Sequence, residues 1–120
     1  MLETGLAAGL LLALGGFAWA WTALSPEALL VAGAFTVAGG LAFGLPTGLL
    51  YHVALHRSLS RIGSLPRRWW LHPLALHPRV PPEDAFAVLA WCRLGALGCA
   101  VAFLGCALFG LGALRAWLVG

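Results

Sequence analysis

Three runs of the sequence carry no charged side chain: Gly5–Leu24, Ala28–Leu55 and Leu94–Leu114. A helix needs about 20 apolar residues to cross a hydrocarbon core of about 30 Å. The runs hold 20, 28 and 21 residues, so each is long enough. Hydrophobic residues make up 62% of the 120-residue chain and charged residues 9%. A soluble domain carries about 25% charged residues, and one this small leaves too much surface in water to hide such an apolar load. A soluble enzyme, a nucleic-acid-binding domain and a disordered tail are thereby excluded. The expected fold class is an all-α integral membrane protein forming a single membrane domain over 1–120. The expected transmembrane helices cover about 5–24, 26–56 and 83–118, with an interfacial loop over 57–82.

The first run ends near Trp19 and Trp21, where an aromatic belt belongs. Ala18-Trp19-Ala20 has the small-x-small form of a leader cleavage site, but the residues ahead of the run include Glu3 and no basic side chain. A leader carries positive charge there, so a retained span is expected. Ser25-Pro26-Glu27 then reads as a helix start. Ser25 suits the cap, Pro26 the first turn and Glu27 the positive end of the helix dipole. The second run would reach about 42 Å as a helix, more than the core needs. It should tilt, kink or protrude, with Pro46 as the expected kink point. Glu83 and Asp84 mark the start of the third helix, and Arg93 and Arg115 bracket its uncharged stretch.

Five of the seven arginines, Arg57, Arg61, Arg67, Arg68 and Arg79, lie between the second and third runs. Short arginine-rich loops stay on the cytoplasmic side. The expected orientation therefore has a cytoplasmic N-terminus and loop, and a periplasmic or extracellular C-terminus. The chain has no Lys, Asn or Gln, and Ile62 is its only isoleucine. Such usage fits GC-rich codons, hence a bacterial inner membrane. Leu59, Ile62 and Leu65 recur at three-residue spacing among arginines and serines, ahead of Trp69 and Trp70. The pattern predicts a basic amphipathic segment at the interface. Arg57, Arg61, Arg67, Arg68, Trp69, Trp70, Arg79 and Arg93 are its candidate contacts to lipid headgroups or a partner.

Two rhythms predict helix-packing faces. Thr36, Gly40, Gly44 and Gly48 recur every four residues, a series that His52, His56 and Ser60 continue. Small residues on one stripe let helix backbones approach closely. Cys92, Cys99 and Cys106 recur every seven, with Gly95 and Ala102 three residues behind two of them. That reads as a close-packed left-handed seam. The cysteines act there as small hydrophobes, since thiols about 10 Å apart along one helix cannot pair.

All four histidines fall between positions 52 and 77. His52 and His56, four apart, share one face of a helix, and His72 and His77 follow in the loop. Interface or packing roles come first for them; a metal or haem held by some of the four is the alternative. The pair resembles the His-x-x-x-His boxes of membrane desaturases and hydroxylases over five residues, but the further histidine boxes of those enzymes are absent, and membership is not assigned. No nucleophile elbow, phosphate-binding loop or intramembrane acidic pair points to catalysis, and no cofactor is required. The first expectation is an accessory or structural subunit of a larger membrane complex, or a homo-oligomer. Its partners are membrane lipids and other subunits or copies of itself, with no nucleic acid. A histidine-based redox protein is the alternative, and a small channel or transporter component the second.

Overall fold

The structure is a computed structural model that describes the backbone of residues 2–120 and the side chains from residue 4 onward. It consists of helix α1 (Leu2–Ala23), helix α2 (Pro26–Arg61) and helix α3 (Pro82–Val119). Two short 3-10 segments, Trp69–Leu71 and Pro73–Arg79, lie between α2 and α3. No strand occurs among the described residues. Three stretches, Thr4–Ala23, Pro26–Arg61 and Pro82–Val119, are long and apolar enough to cross a membrane.

The helix ends follow local chemistry. The Ala28 amide donates to Ser25 Oγ at 3.2 Å, which caps α2 as the sequence predicts. At the other end α2 continues past residue 56 to Arg61 and stops at Gly63, whose φ is +66°. The Gly63 amide donates to the Ser60 carbonyl at 3.1 Å and the Ser64 amide to the Leu59 carbonyl at 3.0 Å. This is a Schellman stop, in which only the glycine accepts a left-handed conformation without strain. The helix runs unbroken through Pro46. Next to it, the Thr47 hydroxyl is buried and donates to the Phe43 carbonyl at 2.8 Å, so it brings no unpaired group inside.

The chain divides into two compact units, Met1–Val37 with Phe103–Gly120, and Ala38–Ala102. In the Ala38–Ala102 unit, α2 and α3 meet backbone to backbone. A Cβ placed on Gly98 would stand 2.6 Å from the Gly44 nitrogen, and one on Gly40 would stand 2.8 Å from Ala102 Cα. A Cβ on Gly95 would be 3.3 Å from Gly48 Cα. In the other unit the approach has the same character. A Cβ on Gly33 would stand 2.8 Å from the Gly105 carbonyl oxygen, and one on Gly112 would stand 2.8 Å from the Leu30 nitrogen.

The expected packing residues are placed unevenly. Gly40 and Gly44 lie at the approach, while the Cβ position of Gly48 faces open space. Thr36 is half-buried and donates to its own helix, at the Ala32 carbonyl, 2.7 Å away. The reason is geometric: each four-residue step overshoots a full turn by about 40°, so a strict four-residue series winds off any straight contact line. On α3 the seven-residue rhythm holds, but glycine carries it. Gly98, Gly105 and Gly112 are buried, whereas Cys99 and Cys106 are exposed and Cys92 is half-buried. One residue is about 100° of helix rotation. That step turns Cys99 and Cys106 away from the face the glycines occupy.

Candidate functional site

The end of α2, the 3-10 segments and the start of α3 share a small core of Tyr51, Leu55, Leu59, Leu76 and Val88. Leu55 and Leu59 are fully buried because they lie one turn apart on the same face of α2. The apolar residues of the expected interfacial stripe are placed unevenly. Leu59 belongs to the core and Leu65 packs against it, while Ile62 is exposed. Trp69 packs on the same core, and Trp70 points outward. The excess length of α2 thus goes into building a folded head.

Three of the four histidines take part in this head. Tyr51 Oη and His77 Nε2 share a hydrogen bond of 2.7 Å, which ties the second 3-10 segment to α2. His52 Nδ1 lies 2.8 Å from the Gly48 carbonyl oxygen. A carbonyl only accepts, so Nδ1 carries the proton and donates it, and Nε2 is the ring nitrogen outside this bond. His52 and His56 both lie along Trp69, with ring centroids 6.0 and 5.2 Å away. Tyr51 meets the rings of His52 and His77 edge-on at 5.1 and 5.7 Å, a favourable aromatic arrangement. His72 is exposed. Among the described residues, no three His, Cys, Asp or Glu side chains come together as a metal-ligand group.

The carboxylates at the start of α3 answer to an arginine. Arg61 Nη2 lies 2.6 Å from Asp84 Oδ2 and 3.5 Å from Glu83 Oε1. The pair is partly exposed and closes the end of α2 onto the first turn of α3. Beside it opens a surface cavity of about 360 Å³, lined by Ala54, Arg57, Ser58, Arg61, Asp84, Ala87 and Val88. Ser58 is 4% exposed, and its hydroxyl has no hydrogen-bond partner among the described residues. A buried, unpartnered hydroxyl costs about 1–3 kcal/mol, so this atom marks where the head is left incomplete. Arg67, Arg68, Arg79 and Arg93 are exposed.

A second polar anchor lies in the other unit, where sequence reasoning saw only the end of an uncharged stretch. Arg115 Nη1 donates to the carbonyl oxygens of Trp21 and Leu24. Its guanidinium carbon stands 5.9 Å from the centre of the Trp21 ring. The last carbonyls of a helix have no partner within it, and a cation there also meets the negative end of the dipole. A lone arginine beyond a long uncharged run is the available sequence signal; which helix end it caps is not written in the sequence. In the same unit an apolar groove of about 380 Å³ runs between α1 and α3, with Gly16, Phe17, Leu104 and Leu108 among its walls. Neither a protein-family model nor a curated protein nor a solved structure matches the chain.

Proposed function

We propose that this chain is an integral protein of a bacterial inner membrane, acting as an accessory or structural subunit. It would pack through small-residue helix faces into a larger membrane complex or a homo-oligomer. The observation that carries this reading is a contrast between glycines. Gly33, Gly40, Gly98, Gly105 and Gly112 have a facing helix within contact of a modest side chain, whereas Gly5, Gly9, Gly15 and Gly16 of α1 have nothing within 4 Å. Only 6% of the candidate span in α1 is buried within the chain. In lipid, helices associate by close packing at small residues, and α1 offers glycines whose Cβ positions meet open space among the described residues. The arginine-rich segment sets the proposed orientation, with Arg57–Arg79 on the cytoplasmic side.

Particle mass in a mild detergent, combined with a native pull-down from membranes, tests the reading. An oligomer or a stoichiometric companion is expected. A stable lone monomer that brings nothing with it would sink the proposal. A second reading rests on His52, whose Nδ1 bond to Gly48 leaves Nε2 free in the manner of an oriented metal ligand. It would make the head a metal or haem site. Metal analysis and an absorption spectrum of the purified chain decide it, since absence of both stoichiometric metal and a Soret band removes that alternative.

A further inference from the structure

We propose that the cavity between the end of α2 and the start of α3 binds the phosphodiester of a glycerophospholipid headgroup. The proposal rests on the membrane location given above and is independent of the oligomer. Three residues that line this cavity carry unspent donors. Arg57 makes no hydrogen bond or ion pair among the described residues, and it is one of the residues of the wall. The Ser58 hydroxyl beside it is buried without a partner. Arg61 engages Asp84 and Glu83 through Nη2 alone, and its remaining N–H groups are open to a further acceptor. Guanidinium groups bind phosphate oxygens in a two-pronged geometry, and a hydroxyl can supply a third donor.

Charge and shape narrow the ligand. Among the lining residues Arg57 is the cation that no carboxylate answers among the described residues, since Arg61 is engaged by Asp84 and Glu83. A phosphodiester carries one negative charge, whereas inorganic phosphate near neutral pH carries more and would face the Asp84 carboxylate unbalanced. Ala54, Ala87 and Val88 form the apolar part of the wall. They suit the glycerol and first methylenes of a lipid, which free phosphate lacks. Arg67, Arg68 and Arg79 are exposed and lie outside this lining, so they separate a built site from diffuse attraction to a charged surface.

The test uses the full chain in detergent, with phosphatidylglycerol or inorganic phosphate added and bound lipid counted by native mass spectrometry. One saturable lipid is expected. Arg57→Gln should weaken it about tenfold and Ser58→Ala about threefold, with helicity by circular dichroism unchanged. Arg67→Gln should leave it within about twofold. Equal losses for Arg57→Gln and Arg67→Gln would overturn the site, and so would displacement of the lipid by millimolar inorganic phosphate. Because the proposal presumes the membrane, carbonate washing comes first. A chain that stays with washed membranes but binds no lipid this way overturns the headgroup site alone; a chain that washes off overturns both.

Discussion

The glycines shared by α2 and α3 and the glycines of α1 have the same chemistry and opposite surroundings. Gly40, Gly44 and Gly98 hold two helix backbones in contact, and a Cβ on Gly98 would lie 2.6 Å from the Gly44 nitrogen. At Gly5, Gly9, Gly15 and Gly16 a Cβ would meet open space among the described residues. Composition cannot separate the two sets, because glycine recurs in all three long helices, and the chain holds 16 glycines in 120 residues. What separates them is whether a second helix presents small residues at a matching rhythm. α3 does so toward α2 at Gly95, Gly98 and Ala102. Toward α1 it presents Leu104 and Leu108 across a groove.

Substitutions can break this contrast directly. Gly98→Leu should have the largest effect, because the new side chain meets backbone that cannot move aside. It should abolish cooperative thermal unfolding in detergent, while Gly98→Ala costs about 1–3 kcal/mol. The same Gly→Ala change at Gly9 should be neutral or stabilise by up to about 1 kcal/mol, since it only removes a helix-weakening residue from open space. If Gly9→Ala destabilises the isolated chain as much as Gly98→Ala does, the contrast is wrong. Arg115→Ala should come next, at about 1.5–3 kcal/mol for loss of charged bonds to two carbonyls. It should also expose the chain near Leu24 to protease, and Arg115→Lys should restore only part of the protection.

Smaller effects probe the head. Tyr51→Phe removes the hydrogen bond to His77 and should cost about 1 kcal/mol. It should be read as faster amide exchange in the 69–80 segment with α2 itself unchanged. Ser58→Ala should have the smallest effect on the lipid-free chain, neutral or stabilising by up to about 1 kcal/mol, because it deletes a hydroxyl that has no partner there. A clear destabilisation in delipidated protein would show that Ser58 is already bonded within the fold.

Much of the architecture is legible residue by residue. Ser25-Pro26-Glu27 announces the start of α2, since capping involves only neighbours along the chain. Gly63 ends α2 by the same kind of local rule, but Arg57 and Arg61 draw attention to a charge boundary earlier in the chain. The apolar residues after that boundary, Leu59 and Leu65, look interfacial when read along the sequence. They become core or core-packed residues once Leu76 and Val88 arrive from later segments. The carboxylates of Glu83 and Asp84 are visible as a helix start, while their partner Arg61 lies more than 20 positions away. The clustering of histidines in sequence is visible too, yet it is His52, His56 and His77 that surround Tyr51 and Trp69, and both His56 and His72 are exposed.

The sequence by itself determined three long apolar helices, because apolar run length, caps and the glycine stop all act within a few residues of chain. It also determined that small residues would let helices approach closely. Only the tertiary structure decided which small residues do so, because one residue is about 100° of rotation and the contact face is set by the neighbouring helix. For the same reason, only the structure could bring Arg115 to the carbonyls at the end of α1 and leave Arg57 and Ser58, among the described residues, unpartnered beside one cavity.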